Sequence, residues 1–278
     1  MAMVINTNVA SLNSQRQLTK TNNALSTSME RLSSGLRVNS AKDDAAGLAI
    51  GDRMTSQIRG MTVASRNAND GISMAQTAEA AMGVMTETMQ RMRDLAVQSA
   101  NDGAVTAGDR DKMQAEFKQL NDELTRIVKN TEFNGKKIIN GGLSGGVAIQ
   151  VGANTAADNQ IKVSVDNLSA TITGVTSAGI DGSTAAGALS AINQIDLAIE
   201  AIDTSRAKLG AVQNRFTTTI SNLQSSIENQ SAARSRIMDT DFASETAALS
   251  RNQIIQQAGT AMLSQAKQAP QSVLGLLR

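Results

Sequence analysis

The strongest constraint on this chain is a hydrophobic repeat of seven residues that runs without a break from residue 54 to residue 96. Its members are Met54, Met61, Ala68, Ala75, Met82, Met89 and Ala96. Met85 and Met92 hold the companion position, which gives the three-four spacing of a coiled-coil seam. The repeat predicts one helix from about residue 45 to residue 100, about 80 Å long.

Two features of this segment allow other interpretations. The sequence Asn69–Asp70–Gly71 is typical of a turn. The repeat keeps its register across it, so we predict that the helix continues. A methionine stripe can also line a groove that accepts many partners, but the regular spacing favours a buried seam.

Two later segments carry similar repeats and predict helices over about residues 109–130 and 188–238. The first presents Met113, Phe117, Leu120, Leu124 and Ile127. The second presents Ile195, Ile202, Leu209, Phe216, Leu223 and Ile237, interrupted by Gln230. These segments predict a mainly α fold, a long antiparallel helical rod or coiled coil.

The middle of the chain has a different character. The stretches GVAIQVGAN and NQIKVSVDN alternate apolar and polar residues and are surrounded by turn-forming residues. This pattern predicts a small β-hairpin region over about residues 133–175. Residues 176–187 are mostly small and polar, and we expect them to form a short exposed tip.

Composition excludes several kinds of chemistry. The 278 residues include no Cys, His, Trp or Tyr and only four Phe. Without His or Cys there is no ordinary structural zinc site and no Cys–His or Ser–His nucleophile pair, so we expect no metal, no cofactor and no catalytic site. A net charge of +1 gives no electrostatic reason to expect nucleic acid.

The segment from Ser34 to Ile50 separates two predicted helices. Gly35 can adopt the left-handed conformation that ends a helix. Ser40 and Asp43 have the spacing of a capping box that opens the next helix, with Asp44 also in its first turn. The two carboxylates have an alternative interpretation as a general acid and base, which capping makes unnecessary.

Both ends of the chain are weakly amphipathic and are expected to need partners. The candidate contact residues are Val9, Leu12, Leu25 and Leu32 near the start, and Leu249, Ile255, Met262 and Leu263 near the end. The first residues lack the basic start and continuous apolar core of a signal peptide. No run of eighteen apolar residues predicts a membrane span. If the protein is exported, we expect a route that cleaves no leader.

Several stretches resemble bacterial flagellin. ERLSSGLRVNSAKDDAAGLAIGDRM is similar to the N-terminal signature of that family, and SRIMDTDFASETAALSRNQIIQQAGTAMLSQAKQAPQSVLGLLR to the C-terminal one. QRMRDLAVQSAND, QAEFKQLNDELTRI, TEFNGKKI and IQVGAN are also flagellin-like and follow in the expected order. The resemblance covers nearly the whole chain.

The resemblance implies a division into two domains. Residues 1–34 and 239–278 would be the helices of the inner domain D0, and residues 35–44 the spoke that lets those helices order on assembly. Residues 45–238 would form D1, with its helices, hairpin region and tip. Many flagellins insert large outer domains where this chain has only the short tip. A zinc peptidase found in some inserts is excluded by the lack of histidine.

The function implied is that of a structural subunit that polymerises into the hollow helical filament used for swimming, secreted and extracellular. The implied partners are further copies of the chain, hook-associated junction and cap proteins, an export chaperone at the C-terminal segment, and the flagellar type III export apparatus. A hook–filament junction protein shares the end features, and a chemotaxis-receptor signalling coiled coil shares the Ala, Gln and Met-rich repeats. The second alternative lacks a central strand region.

The resemblance also implies binding by the monomer to the host Toll-like receptor for flagellin. Arg91 and Leu95 in QRMRDLAVQ, and Glu116 in QAEF, match the receptor-contacting positions of the family. Arg91 and Leu95 are four residues apart, on one helical face and off the Met89–Ala96 core position. We therefore expect an exposed leucine beside a guanidinium. The alternative is that Arg91 and Glu116 are ordinary solvated charges.

Overall fold

Residues 7–182 and 184–276 are described by a computed structural model, with side chains described up to residue 268. This part of the chain forms six α-helices and two small antiparallel β-hairpins. The helices are α1 (Val9–Ser34), α2 (Ala45–Ser99), α3 (Ala107–Asn130), α4 (Leu168–Thr176), α5 (Ala186–Met238) and α6 (Phe242–Leu276). The strands are β1 (Glu132–Phe133), β2 (Lys136–Lys137), β3 (Val147–Gln150) and β4 (Gln160–Val163). The mainly α class predicted from the repeats is confirmed.

The chain divides into two compact units. One contains residues 7–56 and 228–276, and the other contains residues 57–227. Helices α2 and α5 each contribute residues to both units. Three parts of the predicted segments lie outside the described residues: residues 1–6 of the N-terminal helix, Ser183 of the tip, and residues 277–278 of the C-terminal helix.

The core of the 57–227 unit is the predicted seam. Met82, Met85, Met89 and Met92 of α2 have no solvent exposure. The other helices supply aliphatic residues and two buried aromatic rings to the same core, including Phe117, Leu124, Ile195, Ile202, Leu209 and Phe216. Because methionine is unbranched and flexible, it fills the irregular gaps that a core poor in aromatic residues leaves between helices. The heptad prediction is confirmed from Met61 to Ala96, whereas Met54 is half-buried.

Helix α2 passes through Asn69–Asp70–Gly71 without a turn, as predicted. Packing explains the glycine. A Cβ atom at Gly71 would lie 2.8 Å from Cζ of Phe216 and 2.8 Å from Cδ1 of Ile149, closer than atoms of real side chains approach. Glycine at this position lets a β-strand and the Phe216 ring lie directly against the helix backbone.

The two hairpins lie within the region predicted to be β. Strand β1 pairs with β2 through Asn134 and Gly135, both with positive φ, as the tightest hairpin turns require. Strand β3 pairs with β4 in the register Val147↔Val163 to Gln150↔Gln160. In β4, Ile161 and Val163 are buried while Gln160 and Lys162 are exposed, the alternation that predicted a strand.

The structure differs from prediction after β4. Helix α4 occupies Leu168–Thr176, within the region assigned to hairpins, and Asn167 caps it by accepting a hydrogen bond from the Ser169 amide. Its β-branched residues favour strands. However, Leu168, Ile172 and Val175 recur at helical spacing and are buried. Burial of this face overrides the strand propensity.

The predicted tip is also less exposed than expected, because Ile180 is buried within it. The Ile180 amide donates to the Gln114 side chain over 2.8 Å, and its carbonyl accepts from the Ser99 hydroxyl over 2.6 Å. These bonds satisfy both backbone groups of a buried loop residue. The segment is therefore anchored at its centre.

Candidate assembly and interaction sites

The segment that follows α1 ends the helix as predicted. Gly35 has φ 72° and its amide donates to the Arg31 carbonyl over 2.8 Å. This is the left-handed cap that glycine adopts without steric cost. The prediction for Gly35 is confirmed.

Beyond Gly35 the segment pairs with the residues that follow α5. Leu36 forms an antiparallel bridge with Asp239, and the Arg37 amide donates to the Met238 carbonyl over 2.7 Å. The Arg37 guanidinium donates to the carbonyl of Ile237 over 2.6 Å. A cation at the carboxyl end of a helix satisfies carbonyls that lack helical partners and suits the helix dipole. Sequence reasoning missed this role of Arg37.

The capping prediction at Ser40 is wrong in its position. The Ser40 amide and hydroxyl each donate to Oδ2 of Asp43 over 2.9 Å, but this box closes a turn that precedes α2. Asp44 is the residue that caps the helix, because its Oδ1 accepts from the Gly47 amide over 2.9 Å. The Ser40 hydroxyl bond lowers the pKa of Asp43. Either of the two adjacent aspartates could cap the helix, and the sequence alone did not distinguish between them.

Helices α1 and α6 run antiparallel in the unit formed by the two ends of the chain. Asn8 Nδ2 donates to the Ala266 carbonyl over 2.7 Å, and Gln256 Nε2 donates to Oδ1 of Asn22 over 2.8 Å. Near the other end, Arg31 and Glu245 form an ion pair of 3.8 Å. The pair is thus fixed at several points by polar contacts.

The buried residues of α1 are small and polar. They are Ser11, Thr21 and Ser28. The Thr21 hydroxyl donates to the Gln17 carbonyl over 3.0 Å, so this buried group is satisfied within its own helix. Burial of these three residues removes little apolar surface from water and so contributes little to stability.

The apolar residues predicted for this pair fall into two groups. Leu25, Leu32, Leu249 and Leu263 are half-buried. Val9, Leu12, Ile255 and Met262 are exposed, Val9 at 66% and Met262 at 60%. Further exposed apolar residues on the same two helices are Met29, Phe242 and Ile254. The pair therefore leaves many of its apolar side chains exposed, unlike an ordinary helical hairpin, which buries most of them. The exposed apolar side chains of α1 and α6 are called the outward face below.

The predicted receptor-binding residues are not all at the surface. Arg91 is exposed, and its Nη2 atom lies 2.6 Å from Oε1 of Glu116. Leu95 is only 2% exposed and belongs to the core, so the expectation of an exposed leucine is wrong. Helix α2 buries Met92, Leu95 and Ala96 together, because packing against several elements makes its buried face wider than a two-position seam.

Sequence reasoning also missed a buried arginine. Arg110 is only 2% exposed. It donates from Nε to the Ser99 carbonyl over 3.0 Å and from Nη1 to the Gly182 carbonyl over 3.3 Å, and it pairs with Asp102. A buried charge is tolerated only when hydrogen-bonded and paired. Arg110 lies three residues before Met113 of the predicted apolar stripe, which is the one signal that it faces inward.

These features define a class of protein: a helical structural subunit whose terminal helix pair leaves apolar side chains exposed, where other copies can cover them. An outward apolar face of this kind marks an interaction surface. Among the described residues, none of the helices has both the length and the apolar content to cross a bilayer.

Comparison with known proteins identifies the family. Residues 5–142 match the bacterial flagellin N-terminal helical region, and residues 192–277 match the bacterial flagellin C-terminal helical region. The chain belongs to the bacterial flagellin family. It is a structural subunit of the extracellular flagellar filament and polymerises with further copies of itself. These matches favour a flagellin over the junction-protein and receptor-rod alternatives.

Individual relatives support the same family assignment. Flagellin D of Vibrio anguillarum is 39% identical and flagellin A of Vibrio cholerae is 40% identical, each alignment covering all of both chains. The first alignment spans 377 positions, so this chain of 278 residues is a short form beside that relative. The crystal structure of Bacillus cereus flagellin is 31% identical with a TM-score of 0.50, covering 61% of this chain and 94% of the other. A structure described as a flagellar hook-associated protein from Vibrio parahaemolyticus, at 15% identity and a TM-score of 0.60, covers 71% of this chain and 100% of the other and shows the fold alone.

Proposed function

We propose that the outward apolar face of α1 and α6 is the surface through which the subunits polymerise. In this proposal residues 1–34 and 239–278 act as the domain D0, residues 35–44 as the spoke and residues 45–238 as D1. The observation that carries it is the exposure of Leu12, Ile255 and Met262 on a helix pair in which the fully buried residues of α1 are polar. Fully burying an exposed side chain of this size contributes about 1.5–3 kcal/mol, and covering these partly exposed ones contributes a share of that, so assembly supplies burial that the pair lacks by itself.

The test replaces Leu12 and Ile255 together by glutamine. Both positions are exposed, so we expect a folded monomer with an unchanged far-ultraviolet circular dichroism spectrum and no sedimentable filament. Lys20→Gln, at an exposed polar position of α1, is the matched control and should assemble. Normal filaments from the double variant would place the polymerisation surface elsewhere.

We further propose that the chain acts as a structural protein and not as an enzyme. The two carboxylates that allowed an acid–base interpretation have structural roles: Asp43 accepts hydrogen bonds from residues of its own turn, and Asp44 caps α2. The sequence contains no Cys or His to supply another nucleophile or base.

The proposed partners outside the filament are the hook-associated junction and cap proteins, an export chaperone and the flagellar type III export apparatus. Support comes from the outward residues Ile254, Ile255 and Met262 near the C-terminus, since an uncovered apolar helix face is a typical chaperone target. Calorimetric titration of the export chaperone should give binding to the full chain and none after removal of residues 239–278. Equal binding to the full chain and to the truncated chain would show that the chaperone site is not on α6.

For the host Toll-like receptor, we propose a contact through Arg91 and Glu116. They form an exposed ion pair between α2 and α3, and Val84, one heptad before Arg91, is an exposed apolar neighbour on the same face. A receptor-reporter assay with monomer should lose potency for Arg91→Ala, while the control Lys118→Ala, at an exposed α3 position, keeps it. Equal potency of the parent and Arg91→Ala would remove the receptor assignment. Leu95→Ala is unsuitable here because it opens a cavity in the core.

A further inference from the structure

The methionines of the described residues span a wide range of solvent access, with three of intermediate exposure between the two extremes. The sequence has 13 methionines. In the described part of the chain, Met82, Met85, Met89 and Met92 have no exposure. In contrast, Met262 of α6 is 60% exposed and Met29 of α1 is 52% exposed. The side chains of the first group form the core of the 57–227 unit, and those of the second lie on the outward face of the terminal helix pair.

This difference in access is a difference in reactivity. A thioether sulfur is oxidised by peroxides to the sulfoxide, which turns an apolar side chain into a polar one. An oxidant dissolved in water reaches Met262 and Met29 directly, whereas it reaches the four core methionines only when the core opens. Met29 and Met262 are therefore the preferred targets of a dilute oxidant.

Met262 also has a defined setting. It lines an apolar groove between α1 and α6 together with Leu18, Ile255 and Gly259, and Asn13 and Gln17 lie along the same groove. The polar groups and bulk water leave a sulfoxide oxygen solvated in the separate subunit. Once another subunit covers the groove, that oxygen loses water and must find a donor in an apolar contact.

We propose that Met262, with Met29, is a peroxide-oxidation site of the unassembled subunit, and that its sulfoxide keeps the subunit out of the polymer. This rests on the proposed function of the outward face. In the reaction the sulfur attacks one oxygen of hydrogen peroxide and the O–O bond breaks. The sulfur gains that oxygen and loses two electrons, and the other oxygen takes both hydrogens of the peroxide and leaves as water. A methionine sulfoxide reductase with a dithiol reverses the change, releasing water and forming a disulfide in the dithiol.

The experiment treats full-length monomer with dilute hydrogen peroxide and measures the sulfoxide at each methionine by peptide mass spectrometry. Met262 and Met29 should oxidise on the order of tenfold faster or more than the core methionines. The critical concentration for assembly should rise on the order of tenfold, since one polar group would be buried without a partner. Circular dichroism should stay unchanged, and reductase treatment should restore assembly.

Two variants identify the residues responsible. Met29→Leu/Met262→Leu is compared with its own untreated sample, and its critical concentration should not change with peroxide. Met262→Gln, an uncharged polar replacement, should raise the critical concentration without any oxidant. If treated parent carrying the Met262 sulfoxide assembles like untreated protein, or if the double leucine variant is inhibited as strongly as the parent, the proposal is wrong.

Oxidation of preformed filaments separates this proposal from the proposed function. Suppose that Met262 is protected from oxidation in filaments, but that monomer carrying its sulfoxide assembles normally. This result would overturn the oxidation proposal and leave the assembly surface in place. Met262 oxidised as fast in filaments as in monomer would show that the outward face stays uncovered, and both proposals would fail.

Discussion

At the level of single residues, the core of the 57–227 unit depends on the missing side chain of Gly71. The Phe216 ring and the end of Ile149 occupy the space that a Cβ would need. A rigid ring cannot withdraw as a flexible chain end can, so the contact has to be relieved by moving α5 or α2.

Gly71→Ala should therefore lower the free energy of unfolding. Overpacking costs about 1–3 kcal/mol, and over most of that range it outweighs the gain of about 0.5–1 kcal/mol that alanine gives inside a helix. The control is Gly83→Ala in the same helix, where a Cβ would meet nothing within 4 Å and a gain of about 0.5–1 kcal/mol is expected. Urea denaturation followed by circular dichroism measures both, and a stabilised Gly71→Ala variant would contradict the packing.

Asp44→Ala should cost about 1 kcal/mol of stability, because it removes the bond to the Gly47 amide at the start of α2. Asp43→Ala breaks only the turn of residues 40–43 and should cost less. The same denaturation experiment ranks the two variants. The opposite order would restore Asp43 as the cap.

The Asp43 turn should also depend on pH. The Ser40 hydroxyl lowers the pKa of Asp43, so the carboxylate contributes stability above the unfolded-state pKa. That contribution is lost as the pH falls through the lowered folded-state value. The stability difference between the parent and Asp43→Asn, measured from neutral to strongly acidic pH, should shrink only at the acidic end. A difference independent of pH would mean that the charge of Asp43 has no role.

At the level of elements, the sequence predicted the helices and strands that residue periodicity determines. It missed the features that depend on packing between elements. The long helices and the β4 alternation follow from residue spacing. Leu95 was misplaced because spacing identifies the centre of a buried face but not its width. Helix α4 was missed because its β-branched residues favour strands, and Arg110 because a charged side chain predicts exposure unless its partners are known.

Removing residues 239–278 should abolish polymerisation and leave the rest of the protein helical. The deletion takes away α6, with Ile255 and Met262, but none of the core methionines. Sedimentation of filaments and circular dichroism of the truncated chain measure the two effects. Filaments of normal yield from this variant would show that α6 is not needed for assembly.

At the level of the whole molecule, each of the two units is stabilised internally by a different kind of contact. The 57–227 unit buries a continuous apolar core. The seam of α1 in the terminal unit buries Ser11, Thr21 and Ser28. Since apolar burial is the main favourable term in folding, the terminal helices should open at a lower free energy than the core.

Hydrogen exchange measured by mass spectrometry should show this difference. In monomer, amides of α1 and α6 should exchange faster than those around Met89 and Phe216, which are fully buried. In filaments the terminal helices should become protected as other subunits cover them. Equal protection of both regions in monomer would contradict the low stability assigned to the polar seam.

The methionine-rich core has a practical result for spectroscopy. The packing uses methionine, alanine and a few phenylalanines, and the chain has no Trp or Tyr. It therefore absorbs almost no light at the wavelength normally used to quantify proteins. A single tryptophan introduced at Leu12 would be the sole long-wavelength fluorophore of the subunit. Its emission would shift to the blue as water leaves the outward face, so filament growth could be followed in real time without a dye.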